Sequence, residues 1–399
     1  MRKRYALLLV VAVSLVALEL AARVFLAWDD GRRFPTAPLG ARHAALVDEI
    51  LRHGERKYLV FDPDTGWAIH PLHSGDPRSP GDKLYSSNSS GLRGIAEVET
   101  TPTPGRLRIA CFGDSFTHGD DVREADSWPR RLATASGTLE VLNFGVPGYG
   151  PDQSLLRYRK LGRKFKADVA LLAVTDENAA RLLTGFRPFY TFYFLRQDDL
   201  LFPKPRFVAE AGRLVEIRSP VASVADLPKV LDPAFQAEMG RDEFFYRTNA
   251  YLNWRVPFFE WSALVRLAKV PLCRRANLAA IQNDAIAHES LSAFQAILAA
   301  FAAEATADGA RPGIVLLMEQ SELRTWRTTA NYRSIVRDEL VAFLEAKGIP
   351  YLETDESFIA ATKGKSPEAL IPGHYSAEGN AVVAGAVRDW LGAIGYLPK

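Results

Sequence analysis

Cysteine is almost missing from this chain of 399 residues: only Cys111 and Cys273 occur. Two cysteines make neither a disulfide framework nor a zinc cluster. Cys111 lies in an apolar run and reads as a buried free thiol. Excess charge is also missing. Lysine and arginine number 49, aspartate and glutamate 47, and the formal net charge is +2. A near-neutral chain has no basic footprint for nucleic acid, so no nucleic-acid partner is expected. Internal repeats and low-complexity tracts are absent as well, which excludes solenoids and disordered arrays. What remains is a globular composition, 48% hydrophobic and 24% charged, long enough for one enlarged domain or two modest ones.

The N-terminus departs from that average. Arg2, Lys3 and Arg4 precede an apolar run from Tyr5 to Leu18 that is broken only by Ser14, and a second apolar stretch reaches Trp28. A basic flank followed by an apolar helix reads as a signal anchor or a signal peptide with its basic end inside. Cleavage signals of the small-x-small kind are weak near its end, which favours an uncleaved anchor over secretion after cleavage. Glu19 and Arg23 stand four apart and can pair on a helix. Everything after about residue 30 is then expected outside the cytoplasm, in a periplasmic position.

Residues 29–104 read as a stalk followed by an irregular lead-in rich in Gly, Pro, Ser and Asn. From residue 105 the pattern changes to strands followed by helices. Leu107–Phe112, Leu139–Phe144, Asp168–Val174, Gly313–Met318 and Pro350–Leu352 are short apolar runs, several stopped by glycine. Helical patterns stand between them, from Asp152, over Tyr332–Lys347, and along the stripe Val383, Val387 and Leu391. The alternation predicts a three-layer α/β sandwich around a central, mainly parallel sheet. Its halves are residues 105–185 and 291–399. Residues 186–290 interrupt the alternation and are expected to form an inserted cap or subdomain. Its aromatic cluster, Phe186, Phe189, Tyr190, Phe192, Tyr193 and Phe194, is either a packing core or a wall for a carbohydrate or acyl group.

Four polar segments fall where strands end. Gly113-Asp114-Ser115 follows the first strand, where open α/β folds place their ligands. A serine presented there can serve as a nucleophile while its backbone N–H faces an oxyanion. The second glycine comes four residues after Ser115, so this is not the Gly-x-Ser-x-Gly elbow. Asn143 to Gly150 follows the second strand with Gly145, Gly148 and Gly150, and can aim a backbone N–H. Thr175-Asp176-Glu177-Asn178 follows the third, and the Asn178 amide is a neutral donor suited to an oxyanion. His374 stands in a loop before the last helix, placed to reach the same crevice as a base. His118, three residues after Ser115, is poorly placed to abstract its proton and is expected to line the site.

Together and in this order, these segments resemble the SGNH (GDSL-like) hydrolase superfamily, over about residues 105–185 and 310–395. The resemblance implies a flavodoxin-like fold with Ser115 as nucleophile, His374 as base, and Ser115, Gly148 and Asn178 around the oxyanion. Asn88 to Gly94 is similar to a segment of membrane-anchored bacterial members, often associated with surface polysaccharides. That implies an acyl-ester substrate, such as O-acetyl on an envelope glycan, with no metal or organic cofactor. An O-acetyltransferase acting on a surface polysaccharide would use the same residues, and a decayed glycan-binding or assembly protein would keep the fold alone. Two positions depart from the family. Asp176 and Glu177 precede Asn178 where the third block usually reads Gly-x-Asn-Asp. Ile371 stands where an aspartate often precedes the histidine by three. The orienting partner of His374 is therefore expected to be a backbone carbonyl or water, then Asp355, then Glu368.

Overall fold

The computed structural model describes residues 2–53, 58–74, 85–211, 213–281, 284–329 and 332–397. The chain divides into two compact units. One is Met1–Gly54 with Leu183–Pro203 and Pro220–Ala285; the other is Glu55–Leu182 with Lys204–Ser219 and Ile286–Lys399.

The second unit holds the strands β1 (Leu59–Asp62), β2 (Gly66–Ile69), β3 (Leu107–Phe112), β4 (Leu139–Asn143), β5 (Val169–Val174), β6 (Arg206–Glu210), β7 (Arg213–Ile217), β8 (Arg311–Leu316) and β9 (Tyr351–Glu353). Its centre is a five-stranded sheet in the order β4-β3-β5-β8-β9, every pair parallel. Counted in chain order, these five stand 2-1-3-4-5, the flavodoxin-like arrangement, whose ligand crevice opens beyond the carboxyl ends of the first and third strands. Here those are β3 and β5. β1 with β2 and β6 with β7 form separate antiparallel hairpins.

The strand sequences explain the layers. Successive side chains of a strand face opposite ways, and a parallel sheet must cover both faces, so its strands are apolar throughout. Ala110 and Phe112 of β3 join Leu172, Ile314, Phe294, Phe301 and Leu340 in one core. Ile109 and Cys111 join Leu171, Val315, Trp128, Val383 and Val387 in the other. Helices Pro151–Lys160, Ala285–Ala307 and Ile335–Lys347 supply the first layer, and Trp128–Thr134 and Ala377–Ala393 the second. Helix Ala285–Ala307 is long and apolar enough to cross a membrane. Yet Phe294, Ile297, Leu298 and Phe301 are fully buried in this core, which accounts for its composition. Both cysteines are buried and free.

In the first unit, helix Arg2–Asp29 leads, followed by Ala41–His53. The paired residues expected on the first helix do meet, with Arg23 Nε 2.8 Å from Glu19 Oε1. Phe186, Phe189, Phe192 and Tyr193 are buried, with edge-on ring contacts between Phe186 and Phe189 and between Tyr193 and Phe245. The expected boundaries also redistribute. Helix Ala41–His53 of the stalk segment belongs to this unit, whereas the hairpin β6–β7, inside residues 186–290, belongs to the other.

Candidate functional site

The chain leaves β3 through Gly113, whose φ of +155° is open to glycine. A Cβ there would stand 2.2 Å from Thr117 Oγ1 and 2.7 Å from the Ala173 carbonyl oxygen. The turn delivers Ser115 as the first residue of a one-turn helix, Ser115–His118. Asp114 caps that helix by accepting from the Phe116 N–H at 2.9 Å.

Asp114 also ties three strand ends together. Its Oδ2 accepts from Asn178 Nδ2 at 3.1 Å and from Arg181 at 2.9 Å, and Arg181 donates in turn to the Tyr149 carbonyl at 2.8 Å. All three side chains are buried. A buried ion pair contributes little net stability, but once formed it tolerates few geometries. Val146 N–H donates to the Gly113 carbonyl at 3.1 Å, and Asn143 Nδ2 to the Thr117 carbonyl at 3.0 Å. The loop carrying Gly148, at φ +79°, is thereby laced to the serine turn.

The Asn178 carboxamide is held in one orientation. Its oxygen accepts from the Thr175 N–H at 3.1 Å while its nitrogen faces Asp114. An amide nitrogen carries two protons, and this bond to Asp114 uses one of them. Asp176 is directed elsewhere, accepting from Arg337 Nε at 3.0 Å and from Ser334. Asn178, not Asp176, is therefore the polar group beside the serine turn.

His374 arrives 259 residues after Ser115, just ahead of helix Ala377–Ala393, and its Nε2 is 2.9 Å from Ser115 Oγ. Phe116 lies edge-on to the imidazole at 5.3 Å. The far nitrogen, Nδ1, is 2.7 Å from Asp121 Oδ2. None of the expected partners holds that nitrogen. Asp355 lies 3.3 Å from Arg337, and Glu368 is paired with Arg324 at 2.6 Å. A carboxylate, not a carbonyl or water, faces the ring. Ile371, three residues before His374, is fully buried, and the carboxylate that meets the ring comes from the serine side. A hydroxyl, an imidazole and a carboxylate in one hydrogen-bonded line can strip a proton from the hydroxyl and stabilise the imidazolium that results. Asp121 is mostly exposed, with 69% of its side chain open, against 31% for His374.

The Asp121 loop is fastened from the Asn88–Gly94 segment. Arg93 donates to the carbonyls of His118 at 2.8 Å, Gly119 at 2.6 Å and Val122 at 2.6 Å, and the Asp121 N–H donates to Tyr85 at 3.0 Å. His118 is a second correction. It does not line the crevice but is fully buried, with Nδ1 2.5 Å from Asp120 and Nε2 2.7 Å from the Tyr58 hydroxyl. Burial pushes its pKa down to about 4 although Asp120 opposes the shift. Nδ1 also faces Arg93 Nη1 at 3.0 Å, so both ring nitrogens are taken up by the interior. The role is a structural one.

Beyond the third block lies a buried acidic group around Arg337. The guanidinium keeps Asp176 below the usual carboxylate range against the cost of burial. Burial, with the charges of Glu177 and Asp176, pushes Glu319 up to about 8.

Among known proteins, no protein-family model matches the chain, and no curated protein matches it. Several solved structures align with it loosely. A lipolytic protein of the G-D-S-L family from Desulfitobacterium hafniense DCB-2 is 14% identical over 72% of this chain and 100% of its own, with a TM-score of 0.37. An acetylxylan esterase from Geobacillus stearothermophilus is 14% identical over 73% and 97%, also at 0.37. A G-D-S-L lipolytic protein from Veillonella parvula DSM 2008 is 11% identical over 71% and 97%, at 0.32. At these values no functional argument passes from them to this chain.

Proposed function

We propose that the chain is a serine-dependent ester-processing enzyme, and that Ser115, His374 and Asp121 form its catalytic line. The observation that carries the reading is the continuous path from Ser115 Oγ through His374 to Asp121 at the carboxyl edge of the sheet. His374 takes the Ser115 proton as Oγ attacks an ester carbonyl. The tetrahedral oxyanion is met by the backbone N–H groups of Ser115 and Gly148 and by the remaining Asn178 amide proton. Collapse expels the alcohol, which takes the proton back from His374, and leaves an acyl-enzyme. Water or a sugar hydroxyl then resolves it.

The substrate class we assign is a small acyl ester, an O-acetyl group on an envelope glycan. This follows from the resemblance of the Gly113-Asp114-Ser115 and His374 segments to their family and from the N-terminal helix, which we read as an uncleaved anchor holding both units outside the cytoplasm. Transfer of acetyl to a polysaccharide acceptor would use the same line. A decayed scaffold would have no reason to keep a fastened acid opposite His374. The test is labelling of the full chain, in detergent, by a fluorophosphonate probe. Wild type is expected to label and Ser115→Ala not to label while keeping its melting temperature. An unlabelled wild type, or labelling that survives Ser115→Ala, overturns the assignment.

A further inference from the structure

The first unit displays an aromatic loop that nothing in the ester chemistry uses. Phe258 is 91% exposed and Trp261 63%, with Phe259 and Trp254 open beside them. Phe258 stands at φ +66°, a backbone region that a bulky residue occupies only at a cost, and its ring is turned outward despite that cost. In water, such a cluster gains nothing from its exposure.

The loop is joined to the N-terminal helix. Glu19 accepts from Ser262 Oγ at 2.8 Å and from the N–H groups of Ala263 at 2.9 Å and Leu264 at 3.2 Å, capping helix Ala263–Ile281. Arg23 donates to the Trp261 carbonyl at 3.3 Å, and its guanidinium lies 5.7 Å from the centre of the Trp261 ring. Tyr5 to Arg23 spans about 27 Å of helix, close to the thickness of a bilayer's hydrocarbon core. Arg23 and Trp261 thus fall at the level where that core ends, and aromatic and basic side chains collect there. The loop backbone suits such a place. Val256 N–H donates to the Glu260 carboxylate, Phe259 N–H to the Val256 carbonyl, Ser262 N–H to the Phe259 carbonyl and Trp261 Nε1 to the Phe258 carbonyl. Each donor bonded within the loop is one fewer to desolvate on entering an apolar layer.

We propose that the Trp254–Trp261 loop is a second, interfacial membrane anchor, its Phe258, Phe259 and Trp261 rings set into the phospholipid leaflet at the carboxyl end of the N-terminal helix. Glu19 and Arg23, polar residues inside an apolar run, are then the link that fixes loop to helix. The inference rests on the membrane-anchor reading of that helix and not on the ester chemistry.

The test uses the full chain in vesicles of phosphatidylcholine with a minority of phosphatidylglycerol. Because Cys111 and Cys273 are buried, a nitroxide can be placed at Phe258→Cys, at Val13→Cys within the helix, and at the exposed Glu238→Cys as a water reference. Access to oxygen and to a water-soluble nickel chelate is read by power saturation. The label at 258 is expected about 5–10 Å inside the headgroup boundary, with oxygen access raised and nickel access lowered against position 238. A label at 258 as open to nickel as that at 238, while position 13 reads lipid, overturns the loop proposal and spares the helix. Position 13 reading water overturns both. Protection at 258 from both reagents means a protein surface covers the loop, a second copy included, and overturns the lipid assignment.

Discussion

The acid opposite His374 is the feature most open to measurement, and Asp121→Asn isolates it. Asp121 sits at φ +67°, a region that asparagine tolerates better than most residues, so the substitution changes charge without forcing the backbone. The transition state forms an imidazolium beside a carboxylate, with Nδ1 and Oδ2 2.7 Å apart. With charge centres about 4 Å apart, the attraction is about 1 kcal/mol in bulk water and about 4 kcal/mol at an effective dielectric of 20. Asp121 is mostly solvent-exposed, which pulls the value toward the lower limit, to about 1.5–2.5 kcal/mol. Asp121→Asn should therefore lower kcat roughly ten- to seventyfold, far less than the roughly 10⁴ that a fully buried acid contributes in this role. The assay is acetyl release from p-nitrophenyl acetate by the full chain, with Asp355→Asn and His374→Ala run beside it. Asp355→Asn should stay near wild type and His374→Ala should be close to inactive. An unchanged kcat in Asp121→Asn would refute the orienting role. A loss as complete as that of His374→Ala would refute the dielectric argument, because it would mean that the exposed acid is sealed from water during turnover.

Three further outcomes follow from the same geometry. Asn178→Ala should lose about 100- to 1000-fold in kcat, the usual cost of one oxyanion donor, whereas Asp176→Ala should chiefly lower stability, by about 1–3 kcal/mol, because it removes one partner of the buried Arg337, which keeps Asp355 and Glu322. Activity and denaturant titration separate the two, and the reverse pattern would move the donor to Asp176. Arg93→Ala frees the carbonyls of the Asp121 loop, and since small misplacements cost about 100-fold, kcat should fall about ten- to a hundredfold with KM little changed; a change confined to KM would contradict the positioning role. Glu319 has a folded pKa raised to about 8, so its contribution is whole below its unfolded pKa and drains away as pH climbs toward 8. Melting temperature should thus drop between pH 5 and pH 9, and Glu319→Gln should flatten that drop; an equally steep fall in the variant would place the titration elsewhere.

The amino-acid sequence by itself determined what short-range physics controls. Short apolar runs that alternate with helical patterns point to the strands of a parallel sheet, and the five expected strands lie within two residues of the observed ones. Strand ends in a parallel sheet share one edge, so Ser115, Gly148 and Asn178, each in a segment that follows a strand, are expected along one edge, with His374 in a loop beyond the last strand. Tertiary structure alone decided the rest. Asp121 is one exposed aspartate among the 47 acidic residues of the chain, and its partner lies 253 positions away. Nothing local marks it, because its role arises from the left-handed turn that Arg93 and Tyr85 impose on the loop after the serine helix. His118 has the right residue type and the right neighbourhood, yet Tyr58 and Asp120 draw it into the interior. Glu19 likewise looked like half of a pair with Arg23 and proved to be also the cap of a helix that begins 244 residues later. In each case a polar side chain took the partner that the folded chain brought within hydrogen-bonding distance, and sequence spacing carries no record of that choice.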